Sequence, residues 1–256
     1  MTDLFRCDGP TLLSVSGGRT SGVMLARVLE THGGALPPDT FACFADTGRE
    51  FPATYEFLDE MARRWGVTIH RVMREGGFDA LITQRRFLPN PAMRFCTQAL
   101  KLEPMRQFML ARGFTSWTNV VGIRADEPRR VARVRQRETE RPDKHYVTVL
   151  PLADSGTRRA DVMAFWARQP FDLALAPHES NCDLCFLKSM NILRRIMREH
   201  PGRERWWIEQ EARVGGRFQP HRPDFAAIYA GVTSNPVLPF DDDDDDDSLI
   251  DCICGD

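Results

Sequence analysis

No apolar run in this chain approaches the roughly 20 residues that a helix needs to cross a bilayer, so a membrane-spanning class is excluded. The first residues lack the basic-then-apolar pattern of a secretory signal, and the expected location is cytoplasmic. Neither sign of charge is in excess: 34 Lys and Arg stand against 36 Asp and Glu, a net charge of −2. The average surface therefore selects no polyanionic or polycationic partner. No internal repeat is present, which removes the solenoid classes. Seven cysteines without a signal segment are an odd set for a disulfide framework, and they point to thiols or metal ligands.

What is present is unevenly placed. Between Arg124 and Arg141 lie Arg129, Arg130, Arg133, Arg135 and Arg137, whereas Asp241 to Asp247 form an unbroken acidic run. At 256 residues the chain has room for one large domain, or one with a small appendage. Short runs of strand formers at 11–15, 40–45, 67–72, 119–123 and 146–150 alternate with helical spacing after residue 20, at 55–65, 78–86 and 104–112. Gly66 is placed to close the second of these helices. The alternation predicts an α/β fold: a parallel twisted sheet with helices on both faces, Rossmann-like. Beyond Pro151 the pattern turns helical, at 158–167, 186–200, 204–214 and 224–229. The division expected is an α/β nucleotide-binding domain over 1–155, a smaller helical region over 156–235, and an acidic linker with a cysteine tail over 236–256. Trp206-Trp207 reads as core on one ring.

The stretch Thr11-Leu-Leu-Ser14-Val-Ser16-Gly17-Gly18-Arg19-Thr20-Ser21 organises the rest. It reads as strand, glycine loop and helix start. Such a junction offers first-turn N–H groups without helical partners, a favourable helix dipole, and glycines that admit an oxyanion closely. The G-x-x-x-x-G-K-S/T loop is excluded because no Lys follows and the spacing is too short. An ordinary strand-to-helix turn is the other reading of the same six residues. In a parallel sheet ligands sit at the carboxyl ends of strands. The loop, Asp46-Thr47-Gly48 and Gly122-Ile123-Arg124 all follow strands, so they are expected on one rim.

Ser16-Gly17-Gly18-Arg19-Thr20-Ser21 resembles the PP-loop of the adenine-nucleotide alpha-hydrolase superfamily. Three further stretches resemble one branch of it, the phosphoadenosine-phosphosulfate reductase family: Asp46-Thr47-Gly48 with Pro52 and Tyr55, Gly122-Ile123-Arg124-Ala125-Asp126-Glu127, and Pro151-Leu152 followed by Asp161-Val162-Met163-Ala164-Phe165-Trp166. Order and spacing agree from about Leu12 to Lys188. Carried over, the resemblance places Ser14, Ser16, Gly17, Gly18, Thr20 and Ser21 at the nucleotide phosphates. Asp46 and Thr47 fall beside the nucleoside, with Gly122 on the same rim. It implies Arg124, Arg19 and Asp46 as the catalytic set, with Arg124 facing an anion through bidentate guanidinium bonds; a surface ion pair is the alternative for Arg124. The arginines that follow fit either a nucleic-acid substrate along 124–141 or a solvated helix.

The cysteines resemble the iron-sulfur members of that family. Cys182-Asp183-Leu184-Cys185 is a CxxC, and Cys252-Ile253-Cys254 a CxC. Cys96 opens a Cys-x-x-x-x-Lys101-x-x-Pro104 segment in which Thr97 occupies the place of a second cysteine. The resemblance implies a four-iron cluster on Cys96, Cys182 and Cys185, with Cys252 or Cys254 as a fourth ligand or an open iron in its place. Zinc on four thiolates and a redox dithiol at the CxxC are the alternatives. The tail cysteines fit a mobile nucleophile equally. Cys7 and Cys43 read as inert thiols.

One departure bears on the reaction. Sulfonucleotide reductases have lost the Gly-Gly form of this loop, and here it is intact. That favours ATP with Mg2+ and expulsion of pyrophosphate. The expected enzyme adenylates an oxygen of a nucleic acid or metabolite and replaces it with sulfur, with a sulfur-donor or reductant protein as partner. A sulfonucleotide reductase releasing sulfite is the alternative reaction, and a nucleotide-binding redox-sensing module the alternative of another class. A homodimer is compatible with either.

Overall fold

A computed structural model of the chain describes residues 3–140, 143, 145–179 and 182–234. The five expected strands are all present: β1 (Thr11–Ser14), β2 (Thr40–Asp46), β3 (Ile69–Met73), β4 (Trp117–Val121) and β5 (Tyr146–Val149). They form one wholly parallel sheet in the order β3-β2-β1-β4-β5. Chain order reverses between β1 and β4, so the crevice at their carboxyl ends is the topological switch point where such sheets take ligands.

Alternation along the strands decides what each face meets. Leu13, Val15, Ala42, Phe44 and Val120 point to one side, into a core filled by α1 (Arg19–Thr31), α2 (Pro52–Trp65) and the Val162 and Trp166 side chains of α8 (Arg159–Trp166). Leu12, Cys43 and Ala45 point to the other side, against Met105 and Met109 of α5 (Glu103–Leu110). Helices on both faces of a parallel sheet follow from this two-sided burial. Pro52 opens α2 at a position where its missing N–H costs nothing, and Gly66 ends it in the left-handed region at φ 61°.

A second core lies beside the sheet. Phe51 and Phe78, Leu81 and Ile82 of α3 (Gly77–Arg85) pack there with Leu193, Ile196 and Met197 of α9 (Met190–Glu199), Trp207 of α10 (Glu204–Val214) and Phe225, Ile228 and Val232 of α11 (Phe225–Ser234). The α/β layer and the helical region therefore share this core through α3.

Two helices start well away from where the sequence expectations put them. The helix expected from residue 186 starts at Met190, where the Ser189 hydroxyl accepts from Ile192 N at 3.3 Å; the preceding residues make a turn in which Lys188 N donates to Cys185 O at 2.9 Å. The helix expected from 104 begins earlier, as α4 (Phe95–Thr97) and a π-helical turn, Gln98–Leu102, that runs into α5. Pro104 has no N–H to give back along the helix, so the α register cannot run unbroken through it, and the wider turn takes up the mismatch. The arginine stretch is helical, as α6 (Pro128–Glu140), which opens on a proline and buries Val134. A short helix, α7 (Pro151–Asp154), follows β5. No helix among the described residues is long and apolar enough to cross a membrane.

Candidate functional site

The three rim segments sit at the ends of neighbouring strands β2, β1 and β4, and two of them, the glycine loop and Gly122–Arg124, touch. Gly17 sits at φ 76°, and a Cβ there would stand 2.4 Å from Thr54 Cγ2, so the loop closes tightly on α2 and requires glycine. The Ser21 hydroxyl, buried at 3 % exposure, donates to Gly18 O at 2.9 Å and accepts from Ser16 N at 3.0 Å. Ser21 is thus a brace that ties the loop into a ring, while Ser16 is exposed at its mouth. Gly18 caps α1 with no side-chain hydrogen bond. The first-turn N–H groups are those that an anion would meet. Ser14 lies deeper, with its hydroxyl donating to Asn119 Oδ1 at 3.0 Å.

From β4, Gly122 brings the next segment against α1. The Arg124 guanidinium donates to Thr20 Oγ1 at 3.1 Å and to Asp126 Oδ1 at 2.9 Å. Its backbone N–H donates to Glu127 Oε2 at 2.9 Å, so the glutamate of the turn is what closes it. Arg19 points elsewhere. Its guanidinium is held by Asp172 through two bonds of 2.7 and 3.0 Å and by Leu173 O at 2.6 Å. From β2, Asp46 Oδ1 accepts from Gly48 N and faces the Tyr55 hydroxyl, each at 2.8 Å. The Thr47 hydroxyl donates to Glu50 Oε1 at 2.7 Å. Burial pushes the Glu50 carboxyl above its usual range, an effect offset in part by the charge of Lys101.

Half-buried Cys96 and the half-buried pair Cys182 and Cys185, distant from it in sequence, line a single small cavity. Arg49, Arg94 and Lys101 share its wall, and among the described residues no carboxylate does. Phe78, Phe186 and Trp207 close the apolar side. Thr47 lines it too, so the cavity opens onto the same segment that flanks the expected nucleoside position. The CxxC is fastened there through its backbone: Cys182 pairs with Glu50 in an antiparallel bridge, and Asp183 N donates to Arg49 O at 2.8 Å. Asp183, 2 % exposed, accepts from Trp207 Nε1 at 3.0 Å and from Arg203 at 3.1 Å. A pair of imidazole–carboxylate contacts, His178 with Glu199 at 2.6 Å and His200 with Glu179, clamps the approach to the CxxC onto the end of α9. His178, Glu179 and Glu199 have ligand atoms within 4.8 Å of one another, and these atoms are engaged in that clamp.

This geometry agrees with a family match over residues 10–171 to the phosphoadenosine phosphosulfate reductase domain. The chain belongs to that family. Among curated relatives of this reductase-domain protein, the uncharacterized nin region protein ORF290 of Escherichia phage lambda is 27% identical over 227 residues, 77% of this chain and 73% of that one. The uncharacterized protein MJ0066 of Methanocaldococcus jannaschii is 25% identical over 194 residues, and the match spans 75% of this chain and 39% of its own length. Solved structures with a similar fold include the phosphoadenylyl-sulfate reductase of Candida auris as a phosphate complex, with TM-score 0.43, 17% identity, and 62% and 72% of the two chains covered. Another is the U34-tRNA thiolase NcsA of Methanococcus maripaludis with its 4Fe-4S cluster, with TM-score 0.47, 12% identity, and 94% and 77% covered.

Of the residues singled out in the sequence, the rim brings together Ser16, Gly17, Gly18, Thr20, Ser21, Gly122 and Arg124, and the cavity brings together the three cysteines. Cys252, Cys254, Arg141 and the acidic run lie outside the described residues. Glu50, Arg94, Lys101 and Asp183 join the site without a role assigned from their sequence motifs. Lys101 stands inside the Cys96–Pro104 segment and Asp183 inside the CxxC, and that is their signal; Arg94 and Glu50 take their places only from the fold, which sets Arg94 in the cavity wall and Glu50 against Cys182.

Proposed function

We propose that this chain is an ATP-dependent sulfur-transfer enzyme. The observation that carries the reading is the shared wall: Thr47 belongs both to the segment expected beside the nucleoside and to the lining of the three-cysteine cavity. Activation of an acceptor and delivery of sulfur to it then fall within one continuous site. An acceptor carbonyl oxygen attacks the α-phosphorus of ATP, the bond to the β-phosphate oxygen breaks, and pyrophosphate leaves. A sulfide-level sulfur then bonds to the activated carbon, and AMP departs with the former carbonyl oxygen, so no net oxidation is needed. Arg124 and the first-turn N–H groups of α1 hold and neutralise the phosphates beside Mg2+. Asp46 and Thr47 orient the nucleoside, and the rest is positioning.

Three thiols around one cavity with Arg49, Arg94 and Lys101 in its wall fit an iron-sulfur cluster, because cationic neighbours favour the thiolate form that binds iron. When bound, the cluster would supply a site that holds and hands on sulfur. Zinc on the same thiolates is the competing occupant. The acceptor class that suits α6 is a nucleic acid, because Arg129, Arg133 and Arg135 are exposed along it.

A second reading, reduction of an adenylyl sulfate, is favoured by the family match itself. The experiment that separates them supplies anaerobically purified protein with Mg-ATP, sulfide and RNA. Acceptor-dependent formation of pyrophosphate and AMP in equal amounts is expected. Sulfite release from an adenylyl sulfate with a thiol reductant, and no pyrophosphate from ATP, overturns the proposal in favour of the reductase.

A further inference from the structure

We propose that Glu50 is a positioning residue that couples occupancy of the nucleotide site to the arrangement of the cysteine cavity. The inference deepens the functional reading above and rests on its placement of Asp46 and Thr47 at the nucleotide. The side chain of Glu50 is tied to Thr47 and, through the Tyr55 hydroxyl, to Asp46, while its backbone is tied to Cys182. Its carboxyl group, 5 % exposed, accepts from the Thr47 hydroxyl at 2.7 Å, from Thr47 N at 3.3 Å and from Arg49 N at 3.1 Å. The Tyr55 hydroxyl lies 3.2 Å from Glu50 Oε2 and 2.8 Å from Asp46 Oδ1, and its single proton serves one carboxylate or the other. The backbone of Glu50 bridges Cys182, and its neighbour Arg49 accepts from Asp183 N at 2.8 Å.

A ligand that draws on Asp46 or Thr47 changes which donors remain for Glu50, and the residue cannot respond without moving the strand bridge that holds Cys182. No water replaces a lost donor at this depth, so each change is felt at close to its full cost. Asp183 makes the far end rigid: its carboxylate is fixed by Trp207 and Arg203 within the second core. With Asp183 held, the response falls on Cys182, the residue that the bridge joins to Glu50.

The test reads the alkylation rate of Cys182 and Cys185 by peptide mass spectrometry, on the full chain purified anaerobically, with and without saturating Mg-ATP or an adenylyl sulfate. Nucleotide affinity is measured separately by equilibrium dialysis. In the native protein a nucleotide changes the rate by about threefold or more, the size expected from gaining or losing one hydrogen bond of ordinary strength. In Glu50→Gln, which keeps the volume but turns an N–H2 toward these donors, the rate becomes insensitive to nucleotide at saturation. Tyr55→Phe, which removes one donor and leaves the buried carboxylate, loses part of the response and covers the case in which Glu50→Gln does not fold. Nucleotide binding with no change in native thiol reactivity, or an undiminished response in both variants, overturns the proposal. A full response without pyrophosphate release sinks only the sulfur-transfer reading, and absence of any nucleotide binding sinks both.

Discussion

Gly122 lies so close beneath α1 that a Cβ on it would stand 3.1 Å from the Cα of Ser21 and 3.3 Å from its N. The contact joins the end of β4 to the loop that follows β1, across the point where strand order reverses. Backbone, not a flexible side-chain end, would have to give way.

Gly122→Ala is therefore expected to cost about 1–3 kcal/mol of stability, the range for overpacking a close-fitted site, and to weaken nucleotide binding because the displaced atoms belong to the loop ring closed by Ser21. Thermal unfolding and equilibrium dialysis with ATP check the two effects. A variant with unchanged melting temperature and unchanged affinity would show that β4 does not press on the loop.

Much of this rim is legible in the sequence, because its parts are local. Strand formers ending in Gly-Gly, and Asp46-Thr47-Gly48 directly after a strand, carry their geometry within six or seven residues. The five strands were visible for a similar reason, since each is a short run bounded by turn residues. What sequence could not show is cross-chain. Glu50 is one acid among 36 Asp and Glu until the fold buries it between Thr47 and Cys182. Arg19, adjacent to the glycines, reads as a phosphate ligand; its carboxylate partner Asp172 is 153 residues away. The π-helical turn at Gln98–Leu102 lies between Cys96 and Pro104 and leaves no periodic signature, because five residues are too few to show one.

The cysteines divide by environment, and that division has a chemical readout. Cys43 is wholly buried in β2 with its thiol pushed up to about 12 by burial, and Cys7 is raised by the same cause. At pH 8 a thiol with that value is ionised in roughly one molecule in ten thousand. Iodoacetamide on the native, metal-stripped protein is expected to label Cys96, Cys182 and Cys185 and to spare Cys7 and Cys43 until denaturant is added. Early labelling of Cys43 would mean that the face of the sheet packed against α5 opens far more readily than its burial allows.

The Arg19–Asp172 pair sets the charge available at the loop. Both side chains are partly exposed, at 25% and 41%, so the pair itself contributes only about 0.2–1 kcal/mol. Asp172→Asn keeps the shape, leaves one acceptor oxygen and removes the neutralising charge, so its stability cost should stay within that range. The guanidinium then stands uncompensated beside the N-terminus of α1. Anion binding there is expected to tighten by roughly two- to fivefold at low ionic strength, with the gain fading as salt screens it over the Debye length of about 10 Å at 0.1 M. Equilibrium dialysis of ATP at two salt concentrations checks both the sign and the screening. Weaker binding in Asp172→Asn would reverse the assignment: the contacts of Arg19 with Asp172 and Leu173, together with the bond from Trp166 Nε1 to Arg19 O at 2.9 Å, would then be what holds the first turn of α1 in shape, and its charge would be irrelevant to the nucleotide.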